Sequence, residues 1–168
     1  MILTGKLSLV MNLVLTNTVG LADSSGKIDR RTDVAFANGS GLNQADRLYS
    51  NHFTIAASGT QDLDLAGSLT DIFGAVITMV RVKAIIIIAA AANVNNVVVG
   101  NAASNQFVGP FGAAAHTVAV KPGGILAMIA PDATGWPVTA GTGDILHLAN
   151  SSSGSGVDFD IAIIGASS

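Results

Sequence analysis

Apolar and polar residues alternate with period two from Lys6 to Thr16. Leu7, Leu9, Met11, Leu13 and Leu15 fall on one side, and Lys6, Ser8, Val10, Asn12, Val14 and Thr16 on the other. Successive side chains of an extended chain point to opposite faces, so the pattern predicts a strand with one dry face. Between Val19 and Gln44 it dissolves into Asp, Ser, Gly, Asn, Arg and Thr with isolated apolar residues. A structureless stretch of roughly 25 residues is uncommon inside a compact domain, so this segment predicts a long loop or an extended arm used for interaction.

Regularity returns at Arg47. Leu48 to Ala57 predicts a strand with Tyr49, Phe53 and Ile55 on or near one face, and Ser58-Gly59-Thr60 a turn. Gln61 to Ala66 alternates Asp and Leu, while Gly67 to Ile72 predicts a short helical turn capped by Ser68 or Thr70. From Ile72 to Asn101 the chain is almost wholly apolar, with four consecutive isoleucines, four consecutive alanines and only Arg81 and Lys83 charged. Val80, Val82, Ala84, Ile86 and Ile88 share one side of a predicted strand, opposite Arg81, Lys83, Ile85 and Ile87. That second side runs from charged to apolar, which predicts one end in solvent and the other covered. The β-branched Ile85–Ile88 flank favours strand over helix for the alanine run.

Asn93 to Asn96 predicts a turn, followed by short strands at Val97–Gly100, His116–Lys121, Ile125–Ala130, Asp144–Asn150 and Val157–Ile164. Pro122-Gly123-Gly124, Pro131-Asp132, Gly135-Trp136-Pro137 and Ser151–Gly156 supply the breaks between them. Seven or eight short strands without a long helix predict an all-β fold, an antiparallel β-sandwich of jelly-roll kind, with a closed barrel as the alternative. The expected organisation is an N-terminal strand and extended arm over residues 1–45 and a sandwich domain over 46–168.

The 168 residues are 49% hydrophobic and only 11% charged, with a net charge of −3; ordinary soluble domains carry roughly 25% charge. A surface of Gly, Ala, Ser, Thr and Asn suits packing against other protein, so assembly into a homo-oligomer or larger body is expected. The scattered cations, with Arg30-Arg31 the only adjacent pair, argue against a nucleic-acid partner. Ser8 and Asn12 interrupt the N-terminal apolar stretch with strand period, against a signal peptide. Arg81 and Lys83 sit near the centre of the long apolar run. Each costs roughly 2.5–3.5 kcal/mol in a bilayer, so no membrane partner is expected.

No catalytic motif is legible, and no enzyme, cofactor or metal is expected. The chain has no cysteine. His52, His116 and His147 are scattered, and each reads as an ordinary hydrogen-bonded histidine. Asp62 with Asp64, and Asp158 with Asp160, each project from one strand face. Such pairs could hold calcium or act as acid and base, but a solvated outer face explains them as well. Gly141-Thr142-Gly143 and Gly154-Ser155-Gly156 lack a phosphate-loop lysine. Trp136 with Pro137 and Tyr49 could form a sugar-stacking platform, the basis of an alternative reading as a carbohydrate-binding module.

Three strings, QADRLYSNHFTIAASGTQDLDLAGSLTDIFG, VRVKAIII and KPGGILAMIAPDATGWPVTAGTGDILHLANSSSGSGVDFDIAIIG, resemble a group of small structural proteins encoded beside capsid genes in tailed bacteriophages. The resemblance spans Asn43 to Gly165. It implies a non-enzymatic virion component, a decoration (cement) protein on the capsid surface with the major capsid protein as partner. A tail or fibre component is the alternative within that group. An edge strand or arm is a ready means of gripping neighbours, so the partner interface is expected at Leu7, Leu9, Val10, Met11, Leu13, Val14, Arg30, Arg31 and Phe36.

Overall fold

The computed structural model describes residues 2–168, which form strands and turns and no helix. In chain order the strands are β1 (Gly5–Val19), β2 (Ala22–Asn38), β3 (Gln44–Ala45), β4 (Arg47–Ile55), β5 (Thr60–Asp64), β6 (Leu69–Thr70), β7 (Val76–Ile77), β8 (Arg81–Ala89), β9 (Val97–Gly100), β10 (Thr117–Val120), β11 (Ile125–Ile129), β12 (Trp136–Pro137), β13 (Ile145–Asn150) and β14 (Val157–Ala166). The expected short strands from Val97 onward are present within a residue or two of their predicted limits.

The body is a sandwich of two antiparallel sheets, ordered β11-β8-β14-β4 and β10-β9-β13-β5. Taken in chain order, its main strands place the first, eighth, third and sixth in one sheet, and the second, seventh, fourth and fifth in the other. That is jelly-roll connectivity. Alternation decides what fills the gap between the sheets. Ile85 and Ile87 of β8 and Phe159, Ile161 and Ile163 of β14 meet Leu63, Val97, Val99, Leu146 and Leu148 of the other sheet, and all are buried. The rings of Phe53 and Phe159, paired across β4 and β14, stack with centroids 5.6 Å apart.

Three local expectations are corrected. Residues 65–68 form turns, and β6 pairs with β7 where a helical turn was expected; Asp71 Oδ1 accepts from Phe73 N at 2.8 Å and Ala75 N at 3.0 Å, fixing the connecting turn. Next, the β8 end expected in solvent is covered, since Lys83 is fully buried. The register of β14 against β8 shifts between Ile164 and Gly165, so Val82 reaches the core as Ile85 and Ile87 do. A β-bulge produces such a shift. A Cβ on Gly165 would lie 2.7 Å from both the Arg81 carbonyl oxygen and the Met79 sulfur, so only glycine fits there.

The third correction concerns the segment from Val19 to Gln44. Ala22–Asn38 is not a loop but a strand, paired with β1 residue by residue from Gly5↔Phe36 to Val19↔Ala22. The chain reverses at Gly20-Leu21, with Gly20 at φ 65°. Glycine at the first central position of a two-residue hairpin supplies the positive φ that matches strand twist. At 15 residues a strand and roughly 3.4 Å per residue, the hairpin is about 50 Å long.

Candidate functional site

Directly opposed residues of an antiparallel pair share a face, so the register sorts the arm into two sides. One carries Leu7·Val34, Leu9·Thr32, Met11·Arg30, Leu13·Ile28 and Leu15·Gly26. The other carries Lys6·Ala35, Ser8·Asp33, Val10·Arg31, Asn12·Asp29 and Val14·Lys27. The second side is a water-facing surface that neutralises itself. Arg31 Nε meets Asp33 Oδ1 at 2.9 Å, Lys6 Nζ lies 3.6 Å from Asp33 and Lys27 Nζ lies 3.1 Å from Asp29. Hydrogen bonds from Arg31 and Ser8 hold the Asp33 carboxyl below the usual aspartate range.

The first side is dry in composition and uncovered in fact. Leu9, Leu13, Leu15 and Ile28 are 62%, 57%, 79% and 56% exposed, and Met11 is exposed as well. Leu21, at the tip, is fully exposed. A two-stranded hairpin alone is marginal in water, and three strands or a packed face are needed for independent stability. Covering these side chains is worth roughly 5–10 kcal/mol in gross transfer free energy. Most of the arm's apolar face is therefore without a covering layer among the described residues.

Its root is fixed. Phe36 is buried, so it anchors the arm and offers no surface to a partner, contrary to expectation. β2 continues into a parallel pairing with β3, Ala37↔Gln44 and Asn38↔Ala45. Asn43 N donates to Pro131 O at 2.7 Å. Beneath this return loop the buried Lys83 ammonium donates to the carbonyls of Asp132 and, at 3.4 Å, Gly41. Burial pushes its pKa below the ordinary lysine value, with the Asp132 charge opposing. Backbone N–H groups of Gly135 and Thr134 hold Asp132 low. One buried cation thus ties the arm's return loop to the 130–135 loop.

A second apolar surface adjoins the first. The outer face of the β11-β8-β14 sheet presents Ile125, Ala127 and Ile129 beside Ile86 and Ile88. Leu7, Leu9 and Val34 of the arm root, with Ser8 and Thr32, stand over Ile86, Ile125, Ala127 and Ile129 across a mostly apolar cleft of about 380 Å³. The same sheet face becomes polar toward β4. There His52 Nδ1 and Asp160 Oδ1 share a hydrogen bond of 2.8 Å, and the Thr54 hydroxyl donates to Asp158 at 2.6 Å.

The remaining candidates for chemistry do not assemble. Asp158 and Asp160 lie on the outer face of one sheet and Asp62 and Asp64 on the outer face of the other, because Phe159 and Leu63 between them point inward. The two pairs cannot share a cleft. His147 meets Asp62 across β13 and β5 at 2.5 Å, and His116 bonds the Phe111 carbonyl at 2.7 Å. Among the described residues no three His, Asp or Glu side chains gather as metal ligands would. The sugar platform also fails to form. Tyr49 is buried in the core, and Trp136 pairs with Val82 through β12. Trp136 packs so closely on Gly109 that a Cβ added to that glycine would lie 2.5 Å from the tryptophan Cβ.

The sequence found β1 and its dry face but missed its partner strand. Ile28, Val34 and Phe36 are the large apolar residues on the dry side of β2, and Gly26, Arg30 and Thr32, between Ile28 and Val34 or beside them, mask the alternation. The receiving sheet face was hidden too, because β8 is apolar on both sides. No protein-family model, curated protein or solved structure matches this chain, so its function is argued from this surface.

Proposed function

We propose that this protein is a non-enzymatic structural subunit that works by adhesion, and specifically a decoration (cement) protein on the capsid surface of a tailed bacteriophage. The observation that carries the reading is the paired-strand arm whose apolar face, beyond its root at Leu7, Val34 and Phe36, nothing in the described chain covers. An arm of about 50 Å extends beyond the sandwich that carries it, which suits bridging of neighbouring capsomers. Low charge and a Gly/Ala/Ser/Thr-rich surface support contact over large areas with identical neighbours, where many weak contacts add through multivalency. The three strings that resemble phage structural proteins support the virion and the major capsid protein as its setting. The jelly roll occurs in capsid and lectin domains alike, so the fold is compatible with this role without assigning it.

Copy number tests the reading. Quantitative mass spectrometry of purified particles should find the protein in hundreds of copies, in the head fraction. A few copies confined to separated tails would move it to the tail or fibre, and absence from particles would end the virion reading. Leu13→Asp with Ile28→Asp should abolish binding of the purified protein to undecorated shells without unfolding the body.

A further inference from the structure

We propose that the uncovered face of the arm is seated on a second copy of this chain, each arm lying across the outer face of its partner's β11-β8-β14 sheet. The inference rests on the reading of the arm as an adhesive surface and names what it adheres to.

Three observations select this occupant. The first is area. Beyond its root the arm's dry face runs from Leu9 to Leu15, roughly 24 Å by 10 Å, before Asn17 opposite Ser24 makes it polar. Exchanged reciprocally, each copy contributes one arm face and one sheet face, roughly 500 Å² per partner or roughly 1,000 Å² in all, the lower bound of a specific interface. The second is shape and polarity on the receiving side. The sheet's outer face carries its own apolar rows, exposed at Ile125, Ile129 and Ile88 and half-buried at Ile86. Ile86, Ile125 and Ile129 also wall the cleft beneath the chain's own arm root, where a partner's arm would have to enter. A row of leucines on a flat ribbon matches such a face, as in sheet-on-sheet packing. A shallow groove of about 340 Å³ runs from Ile86 and Ile88 to Asp160.

The third observation is charge. Arg30 is the single charged residue on the arm's dry side, opposite Met11, and among the described residues it makes no ion pair. An arginine in the middle of a covered apolar stripe needs a carboxylate. The receiving sheet supplies Asp160, aligned with Ile88 across β14 and β8, with Asp158 two residues away. Asp160 Oδ1 shares a hydrogen bond with His52, and Asp158 accepts one from Thr54, so Arg30 would join these carboxylates as an added charged partner. Stacking one arm on another would instead bring Arg30 against the same apolar stripe, with no acid on it. The arm-on-sheet arrangement is the one that satisfies both the leucines and the arginine.

Sedimentation velocity and light scattering on the full chain at micromolar concentration test the proposal. Wild type should be a multimer. Leu13→Asp with Ile28→Asp on the arm should give monomers, and so should Ile88→Asp on the sheet, each with at least a tenfold rise in dissociation constant and an unchanged far-UV spectrum. Mixing these two variants leaves one intact arm and one intact sheet, so a heterodimer should form. Arg30→Asp should weaken association, and combining it with Asp160→Lys should restore it. A monomeric wild type, a multimer indifferent to Ile88→Asp, or a mixture that stays monomeric would each overturn the proposal. Shell binding measured on the same samples separates the two readings. A monomer that still decorates shells sinks self-association alone, and a multimer that ignores shells sinks decoration alone.

Discussion

Strands β1 and β14 carry the same alternation and meet opposite fates. Val157, Phe159, Ile161 and Ile163 of β14 are buried against a second sheet. Leu9, Met11, Leu13 and Leu15 of β1 are exposed along a ribbon that has no second layer. Side-chain period sets which way residues point; it does not say whether the opposing layer belongs to the same molecule. The body closes its alternation internally, through jelly-roll pairing that returns each strand to a partner sheet. The arm leaves its alternation open. That difference divides the protein into a part whose apolar faces are covered within the chain and a part whose apolar face is left open.

Substitutions that remove equal apolar bulk from the two regions should separate them most widely. Phe159→Ala leaves a cavity between the sheets and should cost about 3–5 kcal/mol in denaturant unfolding. Leu13→Ala in the dilute chain should change stability by less than about 0.5 kcal/mol, and its effect should appear only in association. If Leu13→Ala destabilised the isolated chain as strongly, the arm would be packed on its own body and the comparison would collapse.

Polar groups extend the contrast at smaller scale. Asn150 is buried at the edge of the sandwich, its amide donating toward the carbonyls of Ser155 at 2.7 Å, Ala56 at 3.1 Å and Ile55 at 3.4 Å. Asn150→Ala strands these acceptors and should cost roughly 1–3 kcal/mol, read as a lower denaturant midpoint. On the arm, Asp29→Asn removes the exposed partner of Lys27. That change should alter the unfolding free energy by less than about 0.5 kcal/mol, and less still in salt.

Lys83 lies at the hinge between the two regions and has its own signature. Its folded-state pKa is lowered by burial from 10.5, so the unfolded chain binds the extra proton between the two values. Stability linked to this group therefore rises with pH between the lowered folded-state value and 10.5 and levels off above 10.5. Lys83→Met should remove that rise from a plot of unfolding free energy against pH. An unchanged slope would mean that Lys83 is solvated and does not bind the arm's return loop.

Most of the body was legible in the sequence because its strands are short, regularly patterned and cut by Gly, Pro and Asn turns. β13 and β14 could be read almost to the residue, since His147 separates Leu146 from Leu148, and Asp158 and Asp160 flank Phe159, between clear turn signals. β8 was legible as a strand but not as to its faces: Ile85 through Ile88 are apolar on both sides, and only the sheet's position tells Ile87, which is covered, from Ile88, which is exposed. β2 was illegible for the opposite reason. Its facing positions Gly26, Arg30 and Thr32 carry no dry signal, so its strand character comes from pairing with β1 and not from its own residues. Distant pairs were beyond reach altogether. Lys83 looked like a solvent residue until the return loop and the 130–135 loop closed over it.

The sequence by itself determined the class of fold and the existence of a dry face near the N-terminus, because period and turn chemistry are local properties of the chain. Only the tertiary structure decided that this face belongs to a hairpin projecting from a jelly roll, that Tyr49 and Trp136 are packed away from a common surface, and that the acidic pairs lie on opposite sides. Those facts depend on which strands become neighbours, and contacts between residues far apart in the chain are not written in any one segment.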